Sequence, residues 1–256
     1  MNIFFPANTF YHTYTYQVSN CMDTQYDYYY NNVPGKGLCR NNLIYTSLIS
    51  KDKKTFCQWF YNDEGYHGGH NQVVDPELMD EKFRREYEGL FYMHDHGYGD
   101  LIPNFHVDLN EKKIYLEIDG PDIWELAGCE GNDYSQVVPD FDDQMLRIMQ
   151  AHKDIGLFKY SLHPSSYFLV DGKLKSMNYF FTYIEGKDAP ISLRSVMSHI
   201  SEDRQADLLP KMESSGIDVD APTPHKEIQQ LAFDSFKTNF SDDLMEKAKE
   251  LYVQTS

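Results

Sequence analysis

The sequence predicts an α+β fold in two parts, in which a β-rich part carrying one helix precedes a mainly helical part. Short apolar runs separated by polar turns occur up to residue 61 and again between residues 105 and 118, which is typical of strands. After residue 120, most apolar residues recur at intervals of three and four, the period of a helix. We therefore expect the β-rich part over residues 1–119, with its helix at 75–97, and the helical part over residues 120–256.

The strands of the first part are expected as a three-stranded meander followed by a hairpin. Turn residues such as Pro34 and Gly35, and a polar run at residues 50–54, separate the apolar segments. The meander covers residues 26–30, 43–49 and 55–61, and the hairpin covers residues 105–109 and 113–118.

Helices are placed by their capping residues. The helix at 75–97 begins at Asp75 and Pro76, because Asp caps a helix N-terminus and Pro is tolerated at the first helical position. Gly97 is its expected end, and Gly156 is the expected end of a second helix that begins at Phe141. A short hairpin turning at Asp171-Gly172 follows. Further helices are expected at residues 192–200, 224–240 and 242–252.

Composition narrows the classes of function. The 256 residues carry 40 acidic and 23 basic side chains, a formal charge of −17, which argues against a general nucleic-acid binder and favours basic partners or a solvated surface. The four cysteines have no CxxC spacing, as expected of reduced thiols in the cytoplasm. Neither a signal peptide nor an apolar run of about 18 residues is found, so we expect an intracellular protein without a membrane span.

The order of these elements and several local patterns resemble the protein-kinase-like superfamily. The resemblance covers roughly residues 33–180 and implies a two-lobed fold, with a small β-rich N-lobe that carries one helix, a reduced and mainly helical C-lobe, and a cleft between them. The matching segments are residues 33–37 for the glycine-rich loop, 85–90 for the helix with the family's glutamate, 116–120 for the hinge, 141–156 and 159–166 for the helix and catalytic loop, 168–175 for the strand pair after it, and 178–180 for the metal-binding Asp-Phe-Gly.

The residues that the resemblance assigns to catalysis are largely replaced. Kinase-type transfer requires a lysine on the third strand paired to the helix glutamate, a catalytic aspartate, and an asparagine and an aspartate that hold magnesium. Gln58 stands at the lysine position and Glu86 at the glutamate position. Ser161 stands at the catalytic aspartate, Ser166 at the asparagine and Asn178 at the metal-binding aspartate. The ordinary transfer mechanism is therefore not expected.

ATP and Mg²⁺ are the cofactors that the resemblance implies, and the replacements leave their binding open. Asn178 offers Mg²⁺ a neutral oxygen, a weaker ligand than a carboxylate. The third glycine of the loop is replaced by Arg40, and a Pro-Gly turn explains the remaining glycines equally well. The residues implied to contact nucleotide are Gly35, Lys36, Gly37, Gln58, Glu86, Glu117 and Ile118.

Five histidines within forty residues indicate a separate candidate metal site. His67 and His70 have the His-x-x-His spacing, and His94 and His96 the His-x-His spacing, that can chelate zinc or nickel. His106 is the fifth. The competing interpretation is that these are exposed or helix-end histidines.

Three hypotheses of function follow. The first is a catalytically impaired, pseudokinase-like binding or scaffold protein that contacts another protein. The second is an atypical ATP-dependent phosphotransferase in which Lys36 or Lys54 replaces the missing lysine. The third is an α+β interaction or structural protein unrelated to kinases. The acidic, Tyr- and Asn-rich composition also resembles that of uncharacterised proteins of large phages, which would place it in an infected host cell.

Overall fold

The structure of the protein, a computed structural model, describes residues 26–28, 46–50, 52, 54–60, 76–128, 133–159, 162–188, 192–194, 202–222 and 240–253. Within these residues the fold is α+β, as predicted. Small antiparallel sheets and helices share one apolar core that runs from the first sheet to the last helix.

A five-stranded antiparallel sheet with the strand order β1-β2-β3-β5-β4 forms the first part. Its strands are β1 (Tyr26–Tyr28), β2 (Thr46–Ser50), β3 (Thr55–Trp59), β4 (Phe105–Asp108) and β5 (Lys113–Glu117). β3 is central, and its register places Phe56 opposite Leu116 and Gln58 opposite Ile114. All four side chains are buried. The predicted meander and hairpin are confirmed.

The helix α1 (Pro76–Met93) connects β3 to β4, and one π-helical turn, His94–Tyr98, extends it. Gly97 has a φ of 86°, a left-handed conformation that glycine adopts without strain. Phe83, Leu90 and Met93 are buried on one face of α1. The helix predicted at 75–97 is therefore present, together with its apolar face.

The second part combines helices with two short two-stranded antiparallel sheets. The helices are α2 (Ile123–Leu126), α3 (Phe141–Asp154), α4 (Glu202–Ser214) and α5 (Asp242–Val253). The paired strands are β6 (Leu157–Lys159) with β9 (Thr182–Ile184), and β7 (Tyr167–Val170) with β8 (Lys173–Ser176). Asp171 and Gly172 turn the β7–β8 hairpin with φ values of 52° and 70°, as an Asp-Gly hairpin turn requires.

The predicted and observed elements differ in the last third of the chain. The prediction did not include α4, and Pro210 lies within it, where a proline removes a backbone hydrogen bond and is ordinarily taken as a helix breaker. The helices predicted at 192–200 and 224–240 lie largely outside the described residues, whereas the one at 242–252 is present as α5. In the described part of the chain, no helix combines the length and apolar character needed to cross a membrane.

Candidate functional site

The inner face of β3 joins the sheet to the second part of the chain. Alternate residues of a strand point to the same side, and three alternate side chains at β3 each meet a partner from beyond residue 160. The pairs are Phe56 with Phe168 (ring centroids 5.0 Å apart), Gln58 with Asn178 (hydrogen bond of 3.1 Å) and Phe60 with Phe180 (ring centroids 6.1 Å apart). The polar pair thus lies between two aromatic pairs.

Gln58, Asn178 and Ser166 form a buried chain of hydrogen bonds. Gln58 Nε2 donates to Asn178 Oδ1 at 3.1 Å, and Asn178 Nδ2 donates to Ser166 Oγ at 3.0 Å. Gln58 and Ser166 are fully buried, and Asn178 is 5% exposed. Gln58 Oε1 has no hydrogen-bond partner among the described residues. All three side chains are neutral, so this neutral triad brings together three predicted positions without placing a charge there.

Glu86 of α1 holds the backbone next to the neutral triad. Its Oε1 accepts the N–H of Asn178 and its Oε2 accepts the N–H of Phe180, both at 2.9 Å. Burial raises the pKa of this carboxyl to about 7, against the lowering effect of the Phe180 N–H and of the nearby Lys159 charge. Glu86 therefore fastens α1 to the turn at residues 178–180.

Lys159 is the charged residue of the site that the sequence analysis did not single out. It ends β6, is 5% exposed, and its Nζ donates to Ser176 Oγ at 3.0 Å and to the carbonyl of Met177. The ammonium also lies 5.2 Å from the centroid of the Tyr179 ring. Burial lowers the pKa of Lys159 to about 7, and Glu86 opposes this shift. A lysine within a three-residue apolar strand was the only signal in the sequence.

Tyr179 fills the space between α1 and α3. Its ring leaves no room at Gly89, where an added Cβ would lie 2.3 Å from Tyr179 Cβ. Its hydroxyl lies 3.2 Å from Nε2 of His152, which is 1% exposed. Burial, together with the Lys159 charge, lowers the pKa of His152 to about 3, so this imidazole is neutral in the folded protein. The sequence predicted His152 only as part of a helix.

The connector after β5, residues 117–119, forms backbone hydrogen bonds with other parts of the protein. The N–H groups of Glu117, Ile118 and Asp119 donate to the carbonyls of Asn104, Lys54 and Leu169 at 2.9, 2.9 and 3.0 Å. Glu117 is exposed and Ile118 is buried. These are the two connector positions at which the sequence implied a nucleotide contact, and their backbone donors are already occupied.

An open cavity of about 280 Å³ lies between the end of β5 and the β7–β8 turn. Its polar groups are paired with one another: Lys54 binds Asp119, Asp119 Oδ2 accepts the N–H of Asp171 at 2.5 Å, and Asn104 Nδ2 donates to Glu117 at 2.8 Å. The side chain of Lys54 is 62% exposed. Lys54, considered as a substitute for the missing lysine, therefore belongs to this edge of the sheet, where its partner is Asp119.

Several predicted site residues lie outside the described part of the chain. They are the loop residues Gly35, Lys36 and Gly37, the catalytic-loop residue Ser161, and the histidines His67 and His70. Their roles remain predictions.

The other histidines make separate local contacts. His94 lies 3.6 Å from Asp95, Nδ1 of His96 lies 2.7 Å from the carbonyl of Tyr92, and His106 stacks on Tyr115. Across the described ranges, no group of three or more His, Cys, Asp or Glu side chains is arranged to hold a metal ion.

No protein-family model matches the chain, and a search of curated proteins finds no significant match.

Proposed function

We propose that the protein is a kinase-like, two-lobed binding or scaffold module that does not transfer phosphoryl groups. The observation that carries this proposal is the neutral triad. Gln58, Ser166 and Asn178 stand where the resemblance expects a lysine, an asparagine and a metal-binding aspartate, and two hydrogen bonds join them to one another.

The order of the elements supports the kinase-like fold. α1 follows the central strand β3 and carries Glu86, and β5 leads into a connector. α3, the β7–β8 hairpin and the turn at 178–180 then follow in the order of the family. Glu86 also lies against this turn, as a glutamate of the N-lobe helix would.

The chemistry of the neutral triad argues against transfer. Phosphoryl transfer depends on positioning and on neutralising charge with a lysine, carboxylates and Mg²⁺. Asn178 Oδ1 already accepts a hydrogen bond from Gln58, and Ser166 Oγ already accepts one from Asn178. A cation at this place would compete with these hydrogen bonds for the oxygen lone pairs and would gain no carboxylate from these two residues.

The connector and the aromatic pair support a role without nucleotide. The N–H groups at residues 117–119 are donated internally. Phe56 and Phe168, which are 5% and 1% exposed, pack against each other beside this connector, so these two rings present no surface to a ligand. Recognition would then occur on the outer surface, and the net charge of −17 fits a protein partner with a basic surface.

Thermal unfolding with saturating ATP, once with Mg²⁺ and once with EDTA, tests this function. We expect no change in the unfolding midpoint in either condition, because a ligand that does not bind the native state cannot stabilise it. Incubation with ATP labelled at the γ-phosphate should also leave the protein and a generic protein substrate unlabelled.

A Mg²⁺-dependent rise of about 5–10 °C, as expected of a ligand present at a hundred times its Kd, would contradict the proposal. If Asn178→Ala abolished that rise and Glu88→Ala, on the outer side of α1, preserved it, the atypical phosphotransferase would become the better hypothesis.

A further inference from the structure

Two buried residues of opposite charge hold the same five-residue turn. Glu86 accepts the backbone N–H groups of Asn178 and Phe180. From the other side, Lys159 donates to the carbonyl of Met177 and to the hydroxyl of Ser176. In this short segment, backbone N–H groups are therefore bonded to a carboxylate from α1, and oxygen acceptors are bonded to an ammonium from β6.

Either charge, buried here without the other, would destabilise the folded protein. Both side chains are removed from water, and removing one member of a buried charged pair typically destabilises a protein strongly because the other charge is left uncompensated. Each group shifts the pKa of the other toward its charged form, and both are hydrogen-bonded to the same turn. Ring faces of Tyr167 and Tyr179, 4.8 and 5.2 Å from Lys159 Nζ, add to the stabilisation of the ammonium.

We propose that Glu86 and Lys159 act as one unit, a clamp that fixes the turn at residues 176–180 and docks α1 onto the second part of the chain without any ligand. The Gly89–Tyr179 contact lies one helical turn further along α1 and joins the helix to the same turn. The clamp is formed entirely by side chains of the protein, and it does not depend on whether the fold is kinase-like.

A double-mutant cycle tests the clamp. Glu86→Gln and Lys159→Met are made singly and together, and the unfolding equilibrium constant of each variant is measured in urea. We expect each single substitution to raise this constant a hundredfold or more. The unfolding constant of the double variant should be at least about tenfold smaller than the value obtained by multiplying the two single increases, because neither charge is then left alone. An unfolding constant that equals this multiplied value within about a factor of two would overturn the proposal.

Arg85→Gln supplies the matched control. Arg85 precedes Glu86 on α1, but its guanidinium donates to the carbonyl of Thr182 and pairs with Asp188. When Arg85→Gln is combined with Lys159→Met, the unfolding constant should equal the value expected from multiplying the two single effects, within about a factor of two. Equal coupling of Arg85 and Glu86 to Lys159 would show a general charge effect and would contradict the clamp.

Hydrogen exchange of the unsubstituted protein tests the same proposal even if a variant fails to fold. Without any ligand, the amides of Asn178 and Phe180 should exchange as slowly as those of the buried strand β3, since both are bonded to Glu86. Exchange of these two amides within about tenfold of the unprotected rate would show a turn that opens freely, and would overturn the proposal.

Discussion

Asn178 combines two requirements at a single residue. Its backbone is left-handed, with a φ of 64°, a conformation that costs most side chains about 1–2 kcal/mol and that Asn and Gly adopt most readily. Its side chain also links Gln58 to Ser166. An aspartate would meet the first requirement, but it could not donate to Ser166 when ionised, so the neutral amide suits this site better.

This predicts an unusual order of stability for two substitutions. Asn178→Gly and Asn178→Ala both lose two hydrogen bonds, worth about 2 kcal/mol together, but only the alanine adds backbone strain. We expect the glycine variant to be about 1 kcal/mol more stable than the alanine variant in urea unfolding. The same pair at the exposed Glu246 of α5 should show the opposite order, because glycine is the poorer helix former. An alanine variant as stable as the glycine variant at 178 would contradict the left-handed conformation.

His152 predicts a pH dependence of stability. Its pKa is lowered to about 3 by burial and by the Lys159 charge, from about 6.5 in the unfolded chain. The unfolded state then binds one more proton below pH 6.5, so the contribution of His152 is complete above pH 6.5 and is lost as the pH falls toward 3. The largest slope is about 1.4 kcal/mol per pH unit.

The measurement compares urea unfolding between pH 6.5 and 4.5 for the natural protein and His152→Gln. Glutamine can still form a hydrogen bond with the Tyr179 hydroxyl, but it does not titrate. The unfolding free energy of His152→Gln should therefore depend less steeply on pH, by the amount that corresponds to about one bound proton. His96→Gln, at an exposed side chain, controls for the loss of a histidine. Identical pH profiles for the natural protein and His152→Gln would show that His152 is not buried in its neutral form.

At the level of elements, residues on successive helical turns of α1 contact the second part of the chain. Arg85 donates to the carbonyl of Thr182, Glu86 accepts two amides, Gly89 contacts the Tyr179 side chain, and the Tyr92 hydroxyl donates to the carbonyl of Ile155 at 3.0 Å. The helix therefore meets the second part of the chain over about two turns, and its one glycine lies against the Tyr179 side chain.

Gly89→Ala tests that approach. Alanine at a helix interior is ordinarily about 1 kcal/mol better than glycine, but here the added Cβ would lie 2.3 Å from Tyr179 Cβ. We expect a net loss of about 1–3 kcal/mol from overpacking, measured by thermal or urea unfolding. Glu88→Ala, one residue away on the outer side, should change stability by about 0.5 kcal/mol or less. A gain in stability for Gly89→Ala would mean that α1 stands further from Tyr179.

Elements defined by local chemistry were predictable from the sequence. The Asp-Gly pair specifies the β7–β8 turn, and the apolar period of three and four together with Gly156 identifies α3. β6 and β9 have three residues each, too few for an alternating pattern, and their pairing is decided by long-range contacts. α4 was missed because it tolerates Pro210 within the helix.

Considering the whole molecule, the resemblance to kinases implied that Gln58, Glu86, Ser166 and Asn178 lie near one another, and they do. The helical period placed His152 on the apolar face of α3 with Met145 and Ile148, but it did not predict the contact of His152 with Tyr179. Lys159 could not be predicted, because a three-residue strand has no pattern that shows which side chain faces inward. The neutral triad likewise depends on side-chain directions that only the folded chain defines.

The inner face of β3 has a consequence for synthesis of the chain on the ribosome. Gln58 bonds to Asn178, which is 120 residues later in the chain, and Phe56 and Phe60 on either side of Gln58 pack on Phe168 and Phe180. Until that stretch has left the ribosome, the nascent sheet has only α1 to cover its apolar face, where Phe60 packs on Phe83, and contacts of such large sequence separation form slowly. The emerging N-terminal part therefore exposes apolar surface of the kind that chaperones shield, and this face is covered further only after the turn that follows β8 has emerged.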